Sequence, residues 1–317
     1  MQRIISRGEI ENLDRTQVPT IYAPKEEVVF AQRAQRLRSL TEDSNVSAYL
    51  RLMTHVVDAQ HALLQKHINL TGPSDEQIKL AKQHGLPPLG PMLTDRDPIW
   101  RTLLVELLDA VAESIRGTMQ EKSAFPTAIA DIKATLDNNP EAIEELANQL
   151  IQRQIDENTN LGWAPLIMAA LQVYFTRLVI DQGLAIEDTN KDTPFGICPC
   201  CGAQPIAGII KSSGPSAGRR YMVCSLCATE WHIVRVTCSY CESTENIHYL
   251  ALEEGNEAIR AEACDQCGNY RKIFYQDKDA TVEALADDLN SVELDMLVGQ
   301  EGYFRMSDNP FLWMPRE

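Results

Sequence analysis

Eight cysteines in this chain have the types and spacing of metal ligands. They form the Cys-x-x-Cys pairs Cys198/Cys201, Cys224/Cys227, Cys238/Cys241 and Cys264/Cys267. Twenty-two residues separate the first pair from the second, and twenty-two separate the third from the fourth. Two thiolates at this spacing can bind one metal ion from a tight turn, called a knuckle below, and a second knuckle completes a closed tetrahedral site. The pattern therefore predicts two four-thiolate metal sites.

The segment between the second and third pairs indicates which knuckles share a metal. Residues 230–236 are rich in β-branched and aromatic side chains, which predicts a strand. Seven extended residues span about 23 Å at roughly 3.3 Å per residue, which keeps the second and third pairs apart unless the chain reverses. We therefore expect the first pair to combine with the second, and the third with the fourth. The alternative, four disulfides, requires an oxidising compartment that nothing in the sequence indicates.

Residues within and after the pairs add detail to this prediction. Gly202 and Gly268 follow the second cysteine of the first and fourth pairs. Glycine can adopt the left-handed conformation there and turn backbone amides toward sulfur. The ninth cysteine, Cys200, lies inside the first knuckle. It could be an alternative ligand or a redox-active thiol, but we expect a neutral filler because a closed site needs only four sulfurs.

Other catalytic patterns are weak. His232 and His248 lie close in sequence to the cysteine pairs and could donate hydrogen bonds to the ligands, but a packed or surface role is the simpler expectation. No Ser-His-Asp or Cys-His arrangement stands out, and the cysteine pairs suit a metal better than thiol turnover. We expect a protein that is not an enzyme, with a thiol oxidoreductase as an alternative.

The charge of the chain opposes nucleic-acid binding. The 317 residues contain 29 Lys and Arg against 45 Asp and Glu, a formal net charge of −16. Residues 192–276, which hold the cysteines, contain seven basic and nine acidic residues. Because affinity for DNA comes largely from cations that neutralise phosphates, we expect no nucleic-acid partner. A zinc-ribbon module that binds protein or nucleic acid remains the alternative function.

The apolar segments predict a protein without membrane insertion. The first residues lack the apolar core of a signal peptide. The most apolar stretch, residues 161–180, contains Pro165, Gln172 and Arg177, so a buried helix is a better interpretation than a membrane span. We expect a cytoplasmic protein, where thiols stay reduced.

Hydrophobic periodicity and turn residues predict an α+β fold. Residues 1–187 read as an all-helical bundle with no convincing strand before residue 190. Residues 188–276 read as two tandem rubredoxin-like or zinc-ribbon-like modules, with a polar linker over 188–194. Residues 277–317 read as a helix over 279–297 and an apolar tail over 309–313 that packs on the body. The six predicted strands are 207–211, 220–223, 230–236, 247–252, 258–263 and 270–275.

Motifs spread over most of the chain carry a family resemblance, and those around the cysteines are the most specific. They are Tyr49-Leu50-Arg51, Pro87-Pro88-Leu89, Cys198-Pro199-x-Cys201-Gly202, Cys224-x-x-Cys227-x-Thr229-Glu230-Trp231-His232, Cys238-Ser239-x-Cys241, Cys264-Asp265-x-Cys267-Gly268, Tyr275-Gln276, Ala286-Asp287-Asp288-Leu289, Gln300-Glu301-Gly302-Tyr303 and Asn309-Pro310-Phe311-Leu312. With these motifs the sequence resembles the formate dehydrogenase accessory protein family, FdhE. Cys200 departs from the family pattern, which usually has another residue there.

The resemblance implies a function that the spacing alone does not. It implies a cytoplasmic assembly factor required for active formate dehydrogenase. Such a factor would bind the molybdenum-containing catalytic subunit of a respiratory formate dehydrogenase before that subunit is exported. It also implies iron in two rubredoxin-like sites with a redox or quality-control role. Tetrahedral sulfur suits zinc as well, so zinc remains possible.

Overall fold

The N-terminal part of the chain is helical. The computed structural model describes residues 18–42, 44–90, 96–117, 124–184 and 195–313. The helices before residue 185 are α1 (Val29–Leu40), α2 (Ser47–Leu64), α3 (Asp75–Gln83), α4 (Ile99–Ser114), α5 (Ala124–Asn138), α6 (Pro140–Gln152) and α7 (Ala164–Asp181). The helical character predicted for this part is confirmed. The predicted linker over 188–194 lies outside the described residues.

Helix α7 forms the centre of the helical body. Nearly all of its residues are buried, and it packs against α2, α4 and α6. Among the described residues it is the one helix long and apolar enough to cross a membrane by length and hydropathy, and 83% of that stretch is buried inside the protein. Its apolar character is therefore explained by its place in the core, as predicted.

The C-terminal part is built on one mixed sheet. Its strands are β1 (Ile21–Tyr22), β2 (Pro205–Ile210), β3 (Arg220–Cys224), β4 (Glu230–Ile233), β5 (Ile247–Leu250), β6 (Ile259–Cys264), β7 (Asn269–Tyr275) and β8 (Phe304–Arg305). Within the described residues their order is β1-β4-β3-β2-β7-β6-β5, with β8 paired to β7. The α+β fold class is confirmed.

The two cysteine modules share this sheet. Strands β2, β3 and β4 form one antiparallel unit and β5, β6 and β7 form another. The parallel pair β2–β7 joins the units, with Gly208 opposite Ile273. A Cβ at Gly208 would lie 2.6 Å from Cδ1 of Ile273, so a larger residue there would require the Ile273 side chain to move. The modules predicted as tandem are thus fused side by side.

Two strand predictions were wrong. A strand does occur before residue 190, because Ile21 and Tyr22 pair with Trp231 and Glu230 at the edge of the sheet. Two residues are too few to give a periodic signal. The strand predicted over 230–236 ends at Ile233, and Val236 has a φ of 56°, which is incompatible with a continuing strand.

The single helix predicted over 279–297 was also wrong. The structure has two helices, α8 (Ala284–Asn290) and α9 (Val292–Gln300), separated at Ser291. The Ser291 hydroxyl lies 2.7 Å from the carbonyl oxygen of Asp287. The Lys272 ammonium donates to the carbonyl oxygens of Asp288 and Ser291 at 2.9 and 3.1 Å. These side chains bind carbonyl groups at the break, so the chain turns between α8 and α9.

The C-terminal segment packs on the helical body. Arg36 on α1 binds Asp287 at 2.6 Å and Asp279 at 2.8 Å. Phe311 in the tail is fully buried, and its carbonyl oxygen accepts a hydrogen bond from the Tyr49 hydroxyl. The tail thus contacts the helical body, while the predicted domains, with their limits at 187 and 276, stay predictions.

Candidate metal centres

The first cysteine quartet forms where the helical body meets the sheet. The sulfur of Cys198 lies 3.5 Å from that of Cys227, and the sulfur of Cys201 lies 3.4 Å from that of Cys224. All four sulfur atoms are within 4.8 Å of one another. The first and second knuckles therefore meet, as the sequence predicts.

The second quartet repeats this arrangement in the other module. The sulfur of Cys238 lies 3.7 Å from that of Cys267, and the sulfur of Cys241 lies 3.7 Å from that of Cys264. These four sulfur atoms are also within 4.8 Å of one another. The third and fourth knuckles therefore meet as well.

These distances fit metal ligands and not disulfides. Metal–sulfur bonds of about 2.3 Å in a tetrahedron place the sulfur atoms about 3.8 Å apart. A disulfide would place them about 2.05 Å apart. All nine cysteines of the chain are free thiols in the structure. The residues present thus form two donor sets suited to tetrahedral zinc or iron.

The backbone has the same conformation at the end of all four knuckles. Gly202 and Gly268 have φ values of 75° and 68°, which confirms the left-handed conformation expected there. The equivalent residues of the second and third knuckles, Ala228 and Glu242, have φ values of 57° and 60°. Sequence reasoning missed these two because neither residue type favours the left-handed region. Their position directly after a cysteine pair was the available signal.

Hydrogen bonds from the second knuckle point at the sulfur atoms. The backbone N–H groups of Leu226 and Cys227 each donate to Sγ of Cys224 at 3.3 Å. The hydroxyl of Thr229 lies 3.1 Å from Sγ of Cys227, where it can donate to a thiolate. Donors of this kind stabilise negative charge on sulfur.

Burial makes the first quartet unfavourable as a set of thiolates without a cation. Burial raises the pKa of Cys198, Cys201 and Cys224 well above the ordinary value for a thiol. Burial would also raise the pKa of Cys227, but hydrogen bonds from the other three cysteines and from Thr229 lower it well below that value. A bound metal ion would supply the positive charge that four buried thiolates need.

Contacts from the helical body enclose the first quartet. The amide of Gln172 on α7 donates to the carbonyl oxygen of Ser225 in the second knuckle at 2.7 Å. The backbone N–H of Leu89 donates to the carbonyl oxygen of Cys200 at 2.9 Å. In the sequence, Gln172 stands out only as a polar interruption of an apolar helix. A lone amide in such a helix was the signal for a buried polar contact.

Cys200 is buried in the first knuckle, yet its sulfur is not part of the quartet. Its thiol forms a hydrogen bond with that of Cys198, and its carbonyl oxygen accepts from the backbone N–H of Leu89 in the loop after α3. That it is a neutral filler stays a prediction.

The second quartet is open to solvent. Cys241 is exposed and Cys267 is partly exposed. Tyr240, inside the third knuckle, is 59% exposed, and Phe304, whose N–H donates to the Gly268 carbonyl, is 73% exposed. The two candidate centres therefore differ in environment although their donor sets are the same.

The two histidines near the cysteines have other partners. Nε2 of His248 lies 2.8 Å from a carboxylate oxygen of Asp265, and both side chains are about half exposed. The ring of His232 packs edge-on against that of Tyr221, with centroids 5.6 Å apart. Among the hydrogen bonds between described residues, neither histidine donates to a sulfur atom. This agrees with the expected surface and packed roles.

Three family models together match nearly the whole chain. They are described as "FdhE, N-terminal" over residues 18–184, "FdhE, central domain" over residues 197–235 and "FdhE, C-terminal domain" over residues 236–312. The chain belongs to the FdhE family. The boundary between the central and C-terminal FdhE models falls between the two cysteine quartets.

Individual FdhE proteins support this assignment. Protein FdhE of Escherichia coli O9:H4 (strain HS) is 35% identical over 318 residues, which cover 98% of this chain and 97% of that protein. Protein FdhE of Shigella boydii serotype 18 has the same identity and coverage. The crystal structure of the FdhE protein from Pseudomonas aeruginosa is 32% identical, with a TM-score of 0.76, and the match covers 93% of this chain and 99% of that one.

Proposed function

We propose that this protein is a cytoplasmic assembly factor for formate dehydrogenase. It binds the molybdenum-containing catalytic subunit of a respiratory formate dehydrogenase before that subunit is exported. Membership of the FdhE family, which is associated with formate dehydrogenase, supports this function. The observation that carries it furthest is the pair of cysteine quartets in a chain of this family.

Each quartet would hold one metal ion through its four sulfur atoms. We propose iron in both, with zinc as the alternative, since both accept tetrahedral thiolates. Bound iron supplies one-electron redox chemistry, which zinc does not. The protein contributes a closed donor set and N–H groups aimed at sulfur.

The different surroundings of the two quartets suggest that the two sites have different roles. The first holds the helical body to the sheet, because Gln172 and Leu89 bind its knuckles. The second faces solvent with Tyr240 and Phe304 beside it. A partner protein can therefore approach the second quartet and not the first.

A binding experiment tests the partner. The full chain, purified without oxygen and with its metals, is titrated with the isolated catalytic subunit of a respiratory formate dehydrogenase by calorimetry. We expect a saturable complex. The matched control partner is a cytoplasmic molybdenum enzyme of another substrate class, which we expect not to bind. Absence of a complex with the catalytic subunit contradicts the proposed function.

Metal analysis of the same preparation tests the cofactor. We expect two metal ions per chain and the visible absorption of an iron tetrathiolate after oxidation. Colourless protein with two zinc ions would contradict the iron assignment but not the partner.

A further inference from the structure

Two neighbouring cations on β7 are buried in different surroundings. Arg271 and Lys272 are 4% and 2% exposed, and they point to opposite faces of the sheet because side chains alternate along a strand. Lys272 binds the carboxylates of Asp288 and Asp295 at 3.1 and 2.7 Å. Within the described residues Arg271 forms no ion pair.

All hydrogen-bond partners that the structure gives Arg271 are neutral. Its Nε donates to the Ser239 hydroxyl at 2.9 Å, and its Nη1 donates to the Ser307 hydroxyl at 2.8 Å and to the carbonyl oxygen of Pro205. Glu262 lies opposite Arg271 in the β6–β7 register, but its carboxylate binds Arg220 and the Tyr249 hydroxyl.

A buried charge without a counter-charge is unfavourable in a folded protein. Burial lowers the pKa of Arg271 to about 9, and the nearby positive charges of Arg305 and Arg220 act in the same direction, while Cys238 and the Glu262 carboxylate act in the opposite direction. The guanidinium is still protonated at neutral pH, so the folded protein must balance its charge in another way.

The position of Arg271 identifies the missing counter-charge. Ser239, which accepts from its Nε, is the residue directly after Cys238 in the third knuckle. Four thiolates around a divalent metal ion carry net negative charge. Apart from the Glu262 carboxylate, which already pairs with Arg220, the charged side chains near Arg271 are the cations Arg220 and Arg305, so a filled second quartet would supply negative charge that this neighbourhood needs.

We infer that Arg271 is the counter-charge of the second metal centre and strengthens metal binding there through its positive charge. This inference rests on the metal sites of the proposed function but not on the partner. Arg271 does not contact the metal; it acts through the field at the thiolates and by orienting the knuckle through Ser239.

The experiment measures zinc binding to the purified full chain. Native mass spectrometry counts bound Zn²⁺ while a chelator buffers free zinc, so two dissociation constants are obtained from one protein. In Arg271→Gln we expect the zinc dissociation constant of the second quartet to rise about 10- to 100-fold, the range seen when groups around metal ligands are removed. The other constant, that of the first quartet, is expected to stay unchanged and serves as an internal control.

Two further variants separate charge from hydrogen bonding. Arg271→Lys retains the charge but loses the donation from Nε to Ser239, so we expect the constant of the second quartet to rise less than in Arg271→Gln and that of the first quartet to stay unchanged. Arg260→Gln removes the same charge from the same module at a residue that stacks over Tyr275, and we expect both constants to be unchanged. Equal weakening in Arg271→Gln and Arg271→Lys, or no weakening in Arg271→Gln, overturns the inference.

A second pair of variants covers the case in which Arg271→Gln does not fold. Ser239→Ala and Ser307→Ala each remove one hydroxyl that accepts from Arg271. Only Ser239 lies in a knuckle, so we expect weaker zinc binding at one site in Ser239→Ala and none of this effect in Ser307→Ala. Equal constants in these two variants would overturn the inference. If the protein binds zinc as expected but forms no complex with the catalytic subunit, this result contradicts the proposed function and leaves the inference about Arg271 unaffected.

Discussion

At the scale of single residues, the knuckles are defined as much by backbone conformation as by sulfur. Each of the four pairs is followed by a residue with positive φ. The left-handed conformation costs an ordinary residue roughly 1–2 kcal/mol and costs glycine almost nothing. Ala228 and Glu242 therefore adopt an unfavourable conformation that the geometry of the turn imposes.

Replacing one of these residues by glycine is expected to stabilise the protein. Glu242→Gly should raise the free energy of unfolding by about 0.5–1 kcal/mol, because relief of the positive φ outweighs the greater freedom of glycine in the unfolded chain. Gly268→Ala should lower it by about 1 kcal/mol, since a Cβ there meets no atom within 4 Å and only the backbone is affected. Urea unfolding of the metal-loaded protein measures both.

Glu245→Gly is the matched control for the stabilising change. Glu245 lies three residues further along the same loop, and it is absent from the residues with positive φ. We expect no gain in stability there. An equal gain in both variants would show that the loss of an acidic side chain, and not the backbone, is responsible.

The knuckles also show what the sequence could predict at this scale. The grouping of the eight cysteines into two quartets followed from their spacing and from the extended segment between the second and third pairs, because a tetrahedral site restricts where sulfur can lie. Gly202 and Gly268 revealed their conformation by residue type. Ala228 and Glu242 did not, and Arg271 gave no sign of burial because its neutral partners come from segments 32, 36 and 66 residues away.

At the scale of elements, strand β7 connects the sheet to the C-terminal helices. Tyr270 and Lys272 face α9, where the Tyr270 hydroxyl and the Lys272 ammonium both bind Asp295. Arg305 on β8 binds Asp288 and Asp295 at 2.6 and 2.8 Å. Two cations and two carboxylates thus balance within one buried cluster. The same cluster binds carbonyl groups at the break between α8 and α9.

Removing one member of this cluster is expected to destabilise the protein strongly. Lys272→Met should lower the free energy of unfolding by about 3–5 kcal/mol, because Asp288 and Asp295 would be left with one cation between them. Lys278→Met is the control, since Lys278 is about half exposed and lies 3.8 Å from an exposed carboxylate of Glu257. We expect a change within about 0.5 kcal/mol there. Similar urea midpoints for the two variants would contradict the role of the cluster.

Local sequence predicted most elements but not how they join. The strands of both modules were found near their observed positions because alternation and turn residues are local signals. The parallel β2–β7 seam and the two-residue β1 depend on partners far along the chain. The break at Ser291 depends on Lys272, whose side chain reaches it from the sheet.

At the scale of the whole molecule, the two candidate centres have different access to solvent. The helical body and the first and second knuckles enclose the first quartet. The second quartet lies at the surface, with Cys241 exposed. Access of a chelator to the cysteines limits how fast a metal leaves a closed site. An ion in the exposed second quartet should therefore be removed faster than an ion in the enclosed first quartet.

Metal removal is expected to occur in two phases. With excess chelator at neutral pH, we expect one ion to leave at least tenfold faster than the other, followed by time-resolved native mass spectrometry. Cys241→Ser identifies the faster phase, because it should abolish that phase and leave the slow one in place. Loss of both ions in a single phase, or loss of the slow phase in Cys241→Ser, would contradict the difference in access.

The pairing of β1 with β4 has a consequence for the order in which the chain matures. Ile21 is made at the start of synthesis, but its partner Trp231 follows about 200 residues later. At about 5–20 residues per second, the ribosome needs on the order of 10–40 s to supply that partner. The helical segments are synthesised during this interval, so the helical body can fold before β1 has a strand to pair with. Docking of Ile21 and Tyr22 therefore marks a nascent chain whose first metal module has been completed.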